Sequence, residues 1–145
     1  MIRAGLVFLF VIVCSVSTFS QTVYQIPAEV RRIVFLGNSI TYSGQYISYV
    51  ETYYRLKHPD RILEWINVGL PSETVSGLSE ENHANGDFPR PDLLERLDRV
   101  FAQLSPDLVF VNYGMNDGIY LPLDEQRFQR FKDGIDWLDE KISAI

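Results

Sequence analysis

Cysteine, histidine and basic charge are all scarce in this chain of 145 residues, and each scarcity removes a class of function. The one cysteine, Cys14, sits in an N-terminal apolar stretch and reads as filler. Val11-Ile12-Val13 lacks the small residue that lipid modification wants before a cysteine, and no disulfide can form in a mature monomer that begins beyond it. The histidines are His58 and His83, with none after His83. With 13 Lys and Arg against 19 Asp and Glu, the net charge is −6, which argues against nucleic acid as a partner. The run Ala4 to Val13 is shorter than the roughly 20 apolar residues of a membrane helix. Gly37-Asn38-Ser39-Ile40-Thr41-Tyr42 has none of the glycine spacing that cradles a pyrophosphate, so a nucleotide binder is disfavoured. Internal repeats and low-complexity tracts are absent.

What is present is a hydrophobic fraction of 46% with 13% aromatics, enough to fill the core of one domain. Residues 1–20 form a separate class: Met1-Ile2-Arg3 gives a positive start, an apolar run follows, and Thr18-Phe19-Ser20 fits a cleavage site. This reads as a secretory signal peptide. The expected product is exported to the periplasm, the cell surface or the medium, and touches a membrane only through this segment if it is left uncleaved. The mature chain begins near Gln21 with a formal charge of −7, because Arg3 is the only charged residue removed. Residues 21–30 are an irregular lead-in, and residues 31–145 are the domain.

Strands are expected over Arg32 to Leu36, Ile62 to Val68 and Asp107 to Tyr113, the first and third close to a continuous apolar run and the second with Leu63, Trp65 and Ile66 supplying its bulk. Such runs imply strands covered on both faces, hence a parallel sheet with helices on either side. The first helix carries Tyr46, Ile47, Tyr49, Val50, Tyr53, Tyr54 and Leu56 as its apolar set and ends at His58-Pro59-Asp60, which makes His58 a helix-end residue. Val75 to Leu78 is expected to be a short helical piece and Ser79 to Asp87 a loop. Pro91 suits the first position of a helix whose buried stripe is Leu93, Leu94, Leu97, Val100, Phe101 and Leu104. Asp124 caps a last helix with Phe128, Phe131, Ile135, Leu138 and Ile142 inward. The order predicts an α/β fold, a three-layer doubly wound sandwich with right-handed crossovers.

In such a sheet the turns after the strands share one edge. Ser39, Gly69 and Asn116 each follow a strand, so the topology predicts that they converge. Acyl transfer needs a nucleophile, donors for the developing oxyanion and a base. Ser39 can supply the nucleophile and one N–H. Gly69 can offer a second N–H with no Cβ in the way, and the Asn116 side-chain amide a third, a task that a carboxylate cannot perform. This chemistry needs no metal and no organic cofactor.

Gly37-Asn38-Ser39-Ile40 resembles the Gly-Asp-Ser block of the SGNH (GDSL-type) hydrolases, Asn67-Val68-Gly69 their glycine block, and Gly114-Met115-Asn116-Asp117 their Gly-x-Asn-Asp block. The resemblance covers residues 31 to 145. It implies a flavodoxin-like fold and hydrolysis of a small ester or an O-acetylated carbohydrate, with Ser39, Gly69 and Asn116 in the roles just given. Two departures stand out. Asn38 replaces an aspartate, though asparagine still bonds local backbone; and the family's Asp-x-x-His block is missing. A sheet of this type usually has about five strands, and three are legible. The expectation is therefore the front portion of a longer enzyme, truncated at its C-terminus and inactive as it stands.

The rival reading is a non-catalytic module that keeps the pocket for a carbohydrate or an anion. His83 could touch substrate or act as a substitute base, but reads as a solvated loop residue. Asp117 could bind substrate, but reads as the acceptor that fixes its turn. Tyr42, Tyr46 and Tyr113 read as core or rim aromatics. The bland reading of Ser39 is a helix cap.

Overall fold

The computed structural model describes residues 25–145, so the leader expected over residues 1–20 lies outside the described residues. Strand β1, Arg32–Gly37, is buried from Ile33 onward, as its unbroken apolar run requires. It lies between β2, Glu64–Asn67, and β3, Leu108–Asn112, in the order β2-β1-β3, with both pairings parallel. Phe35 pairs with Asn67 on one side and Gly37 with Asn112 on the other, so all three strands end at one edge. At the opposite edge Asp107 Oδ2 accepts the Arg31 and Arg32 N–H groups at 2.8 Å each, pinning the start of β3 to β1. These backbone bonds hold the Asp107 carboxyl below its usual range.

Side chains alternate across the sheet. Val34 and Leu36 face a core built with Leu93, Leu97 and Phe101 of α3, Leu93–Leu104, and Leu138 of α4, Glu125–Ser143. Ile33 and Phe35 face the other way, onto Ile47 of α2, Gln45–Lys57. On that side Trp65, Phe35 and Phe110 stack across the three strands, with ring centroids 5.8 and 5.0 Å apart. Helices therefore cover the two faces of a three-stranded parallel sheet, an α/β fold.

Several boundaries differ from expectation. Only β1 is covered on both faces; Phe110 and Val111 of β3 are each 41% exposed, because the strand order leaves β3 at an edge among the described strands. Strand β2 starts at Glu64 because its pairing begins opposite Arg32. A separate five-residue helix α1, Ser39–Ser43, precedes α2, and Gly44 at φ 73° turns the chain between them. In α2, Tyr46, Ile47 and Tyr54 pack inward while Tyr49, Tyr53 and Leu56 are exposed. At 100° per residue the latter three fall opposite Ile47. His58 does cap α2, its N–H donating to the Tyr54 carbonyl and its ring 4.5 Å from that of Tyr54.

Val75 to Leu78 is not helical. Thr74 bridges Asp92 instead, and Asp117 takes the Val75 and Ser76 N–H groups. His83–Gly86 forms a 3-10 turn inside the expected loop. Asp92, not the residue before Pro91, caps α3 by accepting the Leu94 N–H, while the Pro91 carbonyl is engaged by Thr74. Asp124 caps α4 as expected, through the Arg127 N–H. Gly134 of α4 lies so close to the loop before α3 that a Cβ there would stand 2.2 Å from the Val75 carbonyl oxygen. Among the described residues no helix is long and apolar enough to cross a membrane.

Candidate active site

The end of β1 delivers Asn38 and Ser39 to the middle of the sheet edge. Asn38 is the N-cap of α1: its Oδ1 accepts the Ile40 N–H at 3.2 Å, and the residue is 1% exposed. Ser39 is thus the first residue of the helix, exposed, with its hydroxyl outside the cap. Its N–H belongs to the first turn, where backbone donors have no intrahelical acceptor. Asn38 Nδ2 is buried with no hydrogen-bond partner among the described residues, a condition that costs about 1–3 kcal/mol. Cap and nucleophile candidate are therefore adjacent residues with separate tasks.

From β2, Asn67 stitches the second turn to the first. Its Nδ2 donates to the Thr41 carbonyl at 2.7 Å, and its Oδ1 accepts the Gly69 N–H at 2.9 Å. Gly69 packs directly on α1: a Cβ at this position would stand 2.3 Å from the Tyr42 nitrogen. Backbone cannot yield as a flexible side chain does. We expect Gly69→Ala to cost about 1–3 kcal/mol by overpacking, read as a lower urea midpoint with an unchanged slope. A midpoint equal to that of the parent would show that Gly69 does not seat α1.

The turn after β3 carries Asn116, which is 3% exposed. One N–H of its side-chain amide donates to the Glu73 carbonyl at 3.0 Å, and the Tyr120 hydroxyl approaches its Oδ1 at 3.5 Å. A side-chain amide has two donor hydrogens, so one is left over. Asp117 is fully engaged in building the turn. Its Oδ1 accepts the Val75 and Ser76 N–H groups at 2.9 Å each, and its Oδ2 accepts that of Gly114 at 3.1 Å. The turn then passes through Ile119 and Tyr120 at φ 46° and 54°, strained for side chains of this size.

Two ion-pair clusters support these turns. Glu73, fully buried, is gripped by both Nε and Nη2 of Arg96 and by the Tyr113 hydroxyl. Burial opposes the Arg96 charge, but the hydrogen bond and charge of Glu73 outweigh it and raise the guanidinium pKa. Burial, then the Glu73 charge, pushes the Tyr113 phenol up. In the second cluster Arg90 holds both Glu80 oxygens at 2.6 Å, and its guanidinium lies 5.0 Å over the Tyr120 ring.

The Arg90 hydrogen bonds hold the Glu80 carboxyl down at about 2, from an ordinary 4.5. A depressed carboxylate stabilises fully above its unfolded pKa, and the contribution is lost as pH falls. We expect the Tyr120 ring resonances to shift with a midpoint near pH 2, following Glu80. Titration near 4.5 would mean that Arg90 does not hold this carboxylate. His83 faces the same acid, with Nδ1 at 3.4 Å from Glu80 Oε1 and its ring edge-on to Phe88.

The three turns named from the sequence thus lie at one sheet edge. Gly69 is packed on α1, and Asn116 is tied through Glu73 to the loop that Gly69 opens. Asn67 belongs to the glycine block, but its bracing role and those of Glu73 and Arg96 are not legible in the sequence. Asn67 could have been noticed as an asparagine closing a strand, whereas a pairing 23 positions apart leaves no local mark. A pocket of about 370 Å³ adjoins the third turn, walled by Gly114, Asp117, Leu121, Phe128 and Phe131; Ser39 is not among its walls. Among the described residues no group of three His, Cys, Asp or Glu side chains could hold a metal ion.

No protein-family model matches the chain, and no curated protein matches it. Among solved structures it is similar to a gut microbial diltiazem-metabolizing enzyme, with a TM-score of 0.62 and 26% identity over 81% of this chain. The chain spans about a quarter of that enzyme's length, 25%.

Proposed function

We propose that this chain carries the nucleophile and oxyanion half of an exported serine esterase of the SGNH (GDSL-type) class, built on a three-layer α/β/α sandwich of flavodoxin-like topology. The substrates are carboxylic esters, O-acetyl groups on carbohydrate among them. The observation that carries this reading is the placement of Ser39 outside the cap on the central strand, flanked by the Gly69 and Asn116 turns at the same edge. In sheets with the order 2-1-3, ligands bind where the order reverses, between the first and third strands. The similar enzyme acts on diltiazem, a molecule that bears an acetate ester, which is compatible with the same chemistry.

In the reaction so assigned, Ser39 Oγ attacks the ester carbonyl carbon and its proton passes to a base. The carbonyl oxygen takes the negative charge and meets the Ser39 N–H, the free Asn116 N–H and the Gly69 N–H, the last shared with Asn67 Oδ1. Collapse of the tetrahedral intermediate expels the alcohol, which takes the proton back from the base, and leaves an acyl-serine, which water then hydrolyses with the same base. The base is neither histidine of this chain. His58 caps the far end of the 13-residue α2, about 20 Å from its start at 1.5 Å per residue, and His83 is turned to Glu80. The reading assigns it to an Asp-x-x-His block elsewhere in the full polypeptide.

The lack of a histidine beside Ser39 among the described residues favours the second reading, a binding module for a carbohydrate or an anion. A fluorophosphonate probe separates the two, because it phosphonylates only an activated serine. Treating the full polypeptide should yield one adduct, on the peptide containing Ser39, by mass spectrometry. No adduct there overturns the esterase reading in favour of the module.

A further inference from the structure

We infer that Glu73 is a positioning residue for the oxyanion donor: its main-chain carbonyl, immobilised because its carboxylate is clamped by Arg96 and Tyr113, orients the Asn116 amide. This rests on the esterase reading. A fully buried carboxylate is costly unless paired, and an apolar replacement of the whole cluster is often as stable or more so. Stability alone therefore gives a weak reason for an acid at this point of the loop.

Geometry gives a stronger one. Through Glu73 the cluster joins four pieces of the sheet edge. Arg96 Nη2 donates to Glu73 Oε2 at 2.7 Å and to the Val68 carbonyl at 2.8 Å, linking α3 to the end of β2. Tyr113, just past β3, donates to the same carboxylate. The Glu73 N–H donates to the Leu70 carbonyl at 3.3 Å, and the following Thr74 N–H to the Pro91 carbonyl at 3.0 Å. With main chain and side chain both held, the Glu73 carbonyl is a fixed point. Its 3.0 Å bond to Asn116 Nδ2 sets the rotation of that amide and so the direction of the second N–H. A donor that is already aimed needs no reorganisation when charge develops.

The test uses p-nitrophenyl acetate and the full polypeptide. Asn116→Ala should lower kcat by about 10²–10³-fold, the usual loss for one oxyanion donor. Glu73→Gln keeps the shape but loses the charge-assisted bonds, and should lower kcat by about 10-fold or more with KM within about two-fold. The decisive result is the double variant, in which Glu73→Gln should cost nothing beyond Asn116→Ala. Full multiplication of the two losses, or an unchanged kcat in Glu73→Gln alone, overturns the inference.

If Glu73→Gln does not fold, Tyr113→Phe, which removes one bond to the same carboxylate, takes its place with the same criterion. A second readout needs no turnover: hydrogen exchange of the Asn116 side-chain amide should speed up about 10-fold or more when Glu73 is changed, as the held N–H opens more often. Unchanged exchange overturns the positioning role. Failure of the esterase reading shows itself separately, as no turnover by the parent or full turnover in Ser39→Ala.

Discussion

Ser39→Ala in the full polypeptide should lower kcat for p-nitrophenyl acetate by about 10⁴-fold or more, leaving the residual rate that an oxyanion site gives without a nucleophile. The site makes this a clean experiment. Because Asn38 accepts the helix-start N–H bond and Ser39 is exposed, removing the hydroxyl takes nothing from the cap. An exposed substitution of this kind changes stability by no more than about 0.5 kcal/mol. The melting temperature should therefore be unmoved while the rate collapses. Turnover within 10-fold of the parent would remove Ser39 from the reaction. Asn38→Ala is the contrasting control, since loss of a cap costs about 0.5–2 kcal/mol and leaves the hydroxyl in place.

The largest stability effect should come from Arg96→Met, a change that keeps the length of the stem and removes the charge. Glu73 would remain at 0% exposure, with the Tyr113 hydroxyl as its surviving side-chain donor. Breaking one side of a buried pair typically costs about 3–5 kcal/mol, because the other charge stays behind unpaired. Against a typical total stability of about 5–15 kcal/mol this is a large fraction. Urea unfolding should show a strongly lowered midpoint, and adding Glu73→Gln should recover part of it, since the stranded charge is then gone. A loss below about 1 kcal/mol in the single variant would mean that the pair carries no buried charge.

Legibility in the sequence followed the physics of each element. β1 was readable because a strand with two neighbours must be apolar on both faces, and Ile33 to Leu36 are. The caps at Asp92 and Asp124 depend on a short acceptor beside the first free N–H groups, a local matter; Asp92 is masked by Pro91, whose fixed φ suits a first helical position and so points to a cap before it. α2 misled because its apolar set forms two stripes, and periodicity alone cannot say that Tyr49, Tyr53 and Leu56 face away from Phe35. Val75 to Leu78 looked helical by composition, but Asp117, more than 40 positions away, captures its N–H groups. Separations of 23 to 43 positions hide the Glu73 network in the same way. The turns that carry Ser39, Gly69 and Asn116 were visible as motifs, whereas the residues that aim them were not.

Gly134 gives this last point a practical edge. α4 meets the loop beneath the third turn backbone against backbone, with no side chain between Gly134 and the Val75 carbonyl to absorb a change. That loop runs straight from Glu73 through Ser76. Any alteration that rotates or lifts the outer helix is therefore transmitted undamped to the anchoring points of Asn116, so tolerance to mutation here will track rigidity of connection and not remoteness from Ser39.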